Sequence, residues 1–344
     1  AADGSGALFL EVNRGKRGLA LDVASPEGRE VVQRLLAWAD VVVANLPPSG
    51  LVALGLDEVS VRAVNPTAVL TTVDAFGTSG PYTDRVGFDG VAQSMSGAVH
   101  LSGVPGSPTK AYVPWVDFST AAFAALGTVA ALLWRRDHVD QPQHVEASLL
   151  RTALTVAGGP LIEQGVLAVD REPIGNRSHI AAPYDICATN DGWIIVQVIG
   201  PAQFRRWCDL VGELTWFEDP RFATDTDRVA HADVLTGRLH EWARERSTAD
   251  ALAALDAARI PAGPVLSPQQ ALDDPHVQTA PLVAPTPYGD VIAPIPVPPF
   301  TLAHGGPLPP RPAPAVGEHT DAVLADVGVD ANEIAALRAA GIVA

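Results

Sequence analysis

Between Ser25 and Phe76 the chain alternates twice between a helical pattern and a short, wholly apolar run. "SPEGREVVQRLLAWAD" opens with Ser25 as N-cap and Pro26 at the first helical position, and its apolar residues Val31, Val32, Leu35, Leu36 and Trp38 share one stripe. "VVVAN" (41–45) has no polar alternation, the pattern of a strand buried on both faces. "LVALGLDEVSVRAVN" then repeats the helix, and "AVLTTVDAF" (68–76) the buried strand. Parallel strands need crossover connections, and those connections lay helices over the sheet. The expected class is therefore α/β, doubly wound, with a parallel sheet.

One carboxylate sits oddly in the stretch beyond this sheet pattern. In "KAYVPWVDFSTAAFAALGTVAALLWRR" Asp117 is the one charged side chain between Lys110 and Arg135. The 17 uncharged residues Phe118 to Trp134 fall short of a membrane span and read as a buried core helix. An ionised carboxylate at its head is costly unless paired or hydrogen-bonded. Asp117 reads as the N-cap of a helix starting near Phe118, as a group kept for chemistry, or as both. At a helix N-terminus the backbone N–H groups would hold it ionised and hence nucleophilic.

A shorter α+β region comes next. "APYDICATNDGWIIVQVIG" predicts a hairpin turning at Asn190–Gly192, with helices near 201–213 and 247–259 and a strand at "AGPVL". Between Pro281 and Pro314 lie 12 of the 30 prolines, which predicts a stiff, extended connection with no regular helix or central strand. Two short helices, in "VGEHTDAVLADVG" and "DANEIAALRAAG", close the chain. At 344 residues this fits two domains, or one large domain with an insertion.

The net charge of −16 argues against nucleic acid and anionic membrane surfaces as partners, so an anionic ligand needs a local basic cluster. "NRGKR" (Asn13 to Arg17) is such a cluster, and reads equally well as a solvated loop before a strand or as a phosphate anchor. The two cysteines, Cys187 and Cys208, offer no disulfide framework and suit a reducing, cytoplasmic setting. "AADGSGALFLEV" has neither the basic region nor the apolar run of a leader. The nine histidines show no metal-ligand spacing, so no metal is expected; no tightly bound cofactor is expected either. The sequence has no G-x-S-x-G, Walker A, H-E-x-x-H or strand-borne G-x-G-x-x-G, which removes serine hydrolysis, zinc chemistry and hydride transfer as leading readings.

Seven segments, taken in order, resemble the family III CoA-transferases, the CaiB/BaiF group that includes formyl-CoA transferases. They are "NRGKRGLALDVASPEGREVVQRLLAWADVVVANLPPSGLVALGL", "FGTSGPYTDRVGFDGVAQSMSGAVHLSG", "VDFSTAAFAALGTVAALLWRR", "GNRSHIAAPYDICATNDGW", "DPRFATDTDR", "IPAGPVLSPQQALDDPHVQ" and "GEHTDAVLADVG". The resemblance implies a Rossmann-like large domain built from both chain ends, with a smaller α+β domain inserted between them. On this chain that gives 1–170 as the N-terminal part of the large domain and 171–280 as the small domain. A proline-rich linker at 281–314 and C-terminal helices at 315–344 then return to the large domain. It also implies an interlocked homodimer acting on an acyl-CoA and a small carboxylic acid, with coenzyme A as substrate.

By the same resemblance Asp117 matches the catalytic aspartate, which forms a mixed anhydride and then an aspartyl-CoA thioester. Asn13, Arg14, Lys16 and Arg17 match the region holding the adenosine and phosphates, and Asn45 the next loop of the CoA channel. Phe88 and Asp89 border the reaction centre, and Gly175 and Asn176 fall in a small-domain loop facing it. The chain departs from the family in three places. The opening strand–turn–helix is absent. The loop after Asn45 reads "NLPPSGLVAL", with Pro47 and Ala53 where positive charges are usual, leaving Arg85 to replace one of them. The usual Thr-Gly-Arg-Gly-Gln turn is "DHVDQPQ". The 2-methylacyl-CoA racemases also resemble the chain, yet carry Gly-His-Asp where it has Gly87-Phe88-Asp89, so a two-base proton relay lacks one member. A third reading is a truncated, non-catalytic family member.

Overall fold

Ser25 caps the first long helix, its hydroxyl oxygen accepting the Gly28 N–H at 3.0 Å. Gly28 is required there, because a Cβ would lie 1.8 Å from the Asp22 carbonyl oxygen. The computed structural model describes residues 6–280, 282–289, 291–305 and 311–344. The chain divides into two compact units, one of Ala1–Ala92, Pro114–Val156 and Leu272–Ala344, the other of Gln93–Val113 and Ala157–Ala271.

In the first unit the elements run α1 (Ala7–Asn13), α2 (Pro26–Trp38), β1 (Val41–Ala44), α3 (Pro48–Leu54), α4 (Glu58–Val64) and β2 (Val69–Asp74). Then come α5 (Asp89–Met95), whose first turn belongs here, α6 (Trp115–Asp137) and β3 (His144–Ser148). β2 is the central strand, parallel to β1 with Val41 opposite Val69 and to β3 with Leu70 opposite His144. Burial on both faces holds for β2, where Val69, Leu70 and Thr71 are fully enclosed. It fails for β1, an edge strand, where Val43 is exposed.

Leu36, Val61, Ala68 and Leu70 close α2 and α4 over this sheet. A second cluster sets Val31 of α2 against Leu324, Val329, Ile334, Leu337 and Val343. The Arg34 guanidinium forks onto Glu333 at 2.8 and 3.2 Å, and Leu21 bridges Val343. The unit is thus made from both chain ends, as the resemblance implies.

The helix α6 lies on β2 and β3. Thr128 and Thr71 share a hydroxyl hydrogen bond of 2.7 Å. Gly127 admits a Val145 methyl that a Cβ would meet at 2.8 Å. Its buried residues are Val116, Thr120, Ala124 and Ala131, while Phe123, Leu126, Val129, Leu133 and Trp134 stay exposed. The expectation of a buried core helix is therefore corrected: one stripe of small residues packs, and the large apolar side chains point outward. Among the described residues α6 is the one helix long and apolar enough to cross a membrane by length and composition, with 22% of its most apolar window buried.

The second unit centres on an antiparallel sheet of Tyr184–Ala188, Trp193–Gln197 and Ala262–Pro264, in that order. The expected hairpin turn is closed by the Thr189 N–H donating to the Gly192 carbonyl at 3.0 Å. Helices Gly200–Val211, Ala232–Arg244 and Thr248–Ala257 pack Phe204, Trp207, Leu235, Leu239, Trp242 and Leu255 against Cys187, Ile194 and Val196 of the sheet. Arg228 is buried among them, donating to the Phe222 carbonyl at 2.8 Å, pairing with Asp225 and lying 4.6 Å from the centre of the Phe204 ring.

The division differs from the boundaries 170/171, 280/281 and 314/315 expected from sequence. Residues 93–113 join the second unit, where the Gly175 N–H donates to the Gly103 carbonyl at 2.5 Å. Residues 157–170 join it too, and 272–280 return to the first. The expected extended linker contains a hairpin, Val283–Tyr288 paired antiparallel with Val291–Pro296. Each strand of a two-stranded ribbon is an edge, so prolines such as Pro285 and Pro294, which face each other, need not donate to the ladder. Residues 281, 290 and 306–310 of that linker lie outside the described residues.

Candidate active site

The direction of α6 places Asp117. At its C-terminal end the Arg135 guanidinium donates to the carbonyls of Asp40 and Thr67 at 3.3 and 3.2 Å and pairs with the Asp40 carboxylate at 2.8 Å. Asp40 and Thr67 lie just before β1 and β2, so α6 ends at the amino edge of the sheet and starts at the carboxyl edge. Asn45 follows β1 on that same edge, and the loop from Ala75 to Phe88 follows β2. Ligands of open parallel sheets bind outside the carboxyl ends of the strands.

The loop after β2 is built on close contacts. Phe76 and Tyr82 meet edge to face at 5.7 Å, and the exposed Arg85 lies 4.6 Å over the Tyr82 ring. Gly87 presses on β2's end, where a Cβ would stand 2.9 Å from the Ala75 Cβ. The next two residues diverge: Phe88 is 75% exposed, whereas Asp89 is 7% exposed at the start of α5. The Asp89 Oδ2 accepts the Val116 N–H at 2.8 Å and the Asp117 N–H at 3.2 Å.

This corrects the expected role of Asp117. The helix begins at Trp115 rather than near Phe118, with Pro114 at the cap position and no side-chain cap bond from it. Asp117 lies in the first turn, and Asp89 does the capping. With those N–H groups taken, the helix terminus does not hold Asp117 below the ordinary carboxylate range. Its pKa is raised, first by partial burial and then by the negative charge of Asp89. The residue nonetheless counts as exposed, so within one chain Asp117 is not enclosed in a dry crevice.

Among the other predicted residues, Asn13 ends α1, and its Oδ1 accepts the Lys16 ammonium at 2.9 Å. Arg14 donates to the Pro296 carbonyl, and Arg17 pairs with Asp326 at 2.7 Å. The basic cluster is therefore tied to C-terminal elements of the first unit, with Lys16 and Arg17 at the surface. Asn45 is exposed. Ala53, where the resemblance leads one to expect arginine, borders a cavity of about 360 Å³ together with Arg29, Leu36 and Ser60. Gly175 and Asn176 lie in the second unit, Gly175 with a left-handed φ of +70° and packed on Val104. Phe88, Asp89 and Asp117 are the predicted residues joined at one spot, through the two helix starts. Sequence reasoning put Asp89 at the border of the centre and missed its bond to α6, because the contact spans 28 residues with no local spacing signal.

Comparison with known proteins gives the family. The model of CoA-transferase family III matches residues 1–320. A succinate–glutarate CoA-transferase of Agrobacterium fabrum is 33% identical, over 95% of this chain and 83% of its own length. A formyl-CoA:oxalate CoA-transferase of Bradyrhizobium sp. is 30% identical, over 97% of this chain and 84% of its own. A crystal structure of a CaiB/BaiF family protein from Brucella suis matches with a TM-score of 0.82 at 30% identity, covering 94% of this chain and 84% of that one. The M. tuberculosis protein Rv3272, at 24% identity and a TM-score of 0.80 over 91% and 85% of the two chains, shares the fold. The chain is a CoA-transferase and belongs to family III.

Proposed function

We propose that the chain moves coenzyme A from an acyl-CoA to a small carboxylic acid through covalent intermediates on Asp117. The carboxylate oxygen attacks the thioester carbonyl, the C–S bond breaks, and CoA leaves as thiolate with the bonding pair. The thiolate then attacks the Asp117 carbonyl of the mixed anhydride, releasing the donor acid and leaving an aspartyl-CoA thioester. The acceptor carboxylate attacks that thioester and displaces the thiolate, which attacks the acceptor's acyl carbon and frees Asp117. A carboxylate is a modest nucleophile toward a thioester, so orientation and stabilisation of the oxyanion must do much of the work.

The observation that carries this reading is the position of Asp117, in the first turn of the crossover helix on the carboxyl edge of the sheet, in a chain of this family. Asn13, Arg14, Lys16, Arg17, Asn45 and Arg85 are the proposed CoA contacts, and a phosphate reaching Arg17 takes the place of Asp326. Phe88, Asp89, Gly175 and Asn176 are the proposed substrate-pocket residues. Asp117 is exposed in a single chain and α6 presents large apolar side chains, which supports a homodimer that encloses the site and keeps water from the anhydride. Burial pushes the Cys187 and Cys208 thiols up to about 11 and about 12, which disfavours them as nucleophiles in place of Asp117.

Incubation with acyl-CoA and hydroxylamine tests the reading. The expected result is loss of activity with an aspartyl hydroxamate at Asp117, while an unmodified Asp117 in an enzyme that still transfers CoA overturns it. Deuterium exchange at the acyl α-carbon in heavy water would instead point to racemisation, which the exposed, apolar Phe88 disfavours.

A further inference from the structure

We propose that Asp89 is a positioning residue for the Asp117 nucleophile: it fixes the first turn of α6 and sets a negative charge beside the reacting carboxylate. The inference rests on the proposed role of Asp117. The first turn of a helix leaves backbone N–H groups without partners, and a neutral Ser, Thr or Asn at the cap position ordinarily takes them. Here Pro114 holds that position and has no side-chain group to offer. The acceptor comes instead from the first residue of α5, enclosed at 7% exposure, with one oxygen on both the Val116 and Asp117 N–H groups at 2.8 and 3.2 Å. The bond to Asp117's own backbone locks the residue whose side chain reacts.

A charged acceptor does more than a neutral one. A bond to a carboxylate is stronger than a bond to a hydroxyl or amide. The like charge also raises the basicity of Asp117, adding to the effect of burial. A more basic carboxylate is a better nucleophile toward a carbonyl, by the same Brønsted reasoning that governs proton transfer. The arrangement is also relieved by reaction. When the Asp117 oxygen bonds to the acyl carbon and the C–S pair leaves on sulfur, the charge beside Asp89 passes to the CoA thiolate. Repulsion present in the ground state is absent from the anhydride, which favours attack over resting.

Carbodiimide labelling gives the pH at which a carboxyl ionises without any acyl-CoA, since only the protonated form reacts. On the full protein, read peptide by peptide by mass spectrometry, Asp117 is expected to label to higher pH in the folded chain than in the same chain denatured. Asp89→Asn keeps the shape and an acceptor oxygen while removing the charge, and Asp89→Ser keeps a short neutral cap. In either variant the Asp117 labelling limit is expected to fall, because the like charge is gone while the burial remains. With Asp89→Asn, kcat should drop about tenfold or more with KM changed less than about twofold, the signature of an interaction that serves the chemical step. A wild-type labelling limit equal to that of the denatured chain, or an unshifted limit in a folded variant, overturns the proposal. A wild-type chain that labels as expected yet never carries an acyl or CoA adduct on Asp117 defeats the functional reading alone.

Discussion

Trp207 and Leu126 stand on two helices with opposite outcomes. In the second unit Trp207 is completely enclosed, packed beside Phe204 at 5.8 Å and Trp216 at 5.8 Å, with Phe222 5.4 Å beyond Trp216. On α6 of the first unit Leu126 is 66% exposed. The helix Gly200–Val211 turns its large residues inward and closes its own core. The helix α6 turns alanine, threonine and glycine inward, which brings it close to the sheet, and leaves its large residues outside. Burial of bulk stabilises a unit by itself, whereas close approach of small residues positions a helix and leaves its apolar surface for something else to cover.

The contrast should be broken most severely at Trp207. Trp207→Ala is expected to destabilise the protein by about 3–5 kcal/mol, because the enclosed site cannot collapse around the lost ring. Denaturant unfolding followed by circular dichroism measures this, and a loss below about 1 kcal/mol would deny the second unit its self-sufficient core. Leu126→Glu sharpens the other side. A charge on an exposed helix position changes the stability of the folded chain by about 0.5 kcal/mol or less. If the proposed dimer uses this face, light scattering should nevertheless show the variant at a lower mass than wild type, and an unchanged mass would remove this face from the proposed interface. The smallest effect is expected at Asp117. Its pKa is raised in the folded chain, so ionising it opposes folding. That opposition is absent below the ordinary aspartate value of about 3.9, grows as pH rises through it, and is complete above the folded-state value. Asp117→Asn should therefore melt slightly higher than wild type at pH 7, with the difference closing near about pH 4. Equal melting temperatures at pH 7 would contradict a disfavoured carboxylate.

What was legible in the sequence was local. Ser25, Pro26 and the apolar stripe of α2 announce a helix, and the apolar runs at 41–45 and 68–76 announce parallel strands, because capping and periodicity act within a few residues. The seven ordered segments named the family for the same reason: each is a short, continuous pattern. Contacts that join distant residues were not legible. Whether β1 is a central or an edge strand depends on how many partners the sheet has. The proline-rich segment forms a ribbon because a two-stranded pair tolerates missing donors. The cap of α6 comes from Asp89, which no rule of helix starts could find while Pro114 occupies the cap position.

The joining of Val31 to Leu324, Ile334, Leu337 and Val343 has a consequence for the birth of the molecule. A ribosome releases residues in order, and α2 emerges almost three hundred positions ahead of the partners that shelter its apolar stripe. The residues of the other unit are all available by Ala271, so they can fold while synthesis continues. Until residues 324–343 appear, the part of the α2 stripe that they cover stays open to water in the nascent chain.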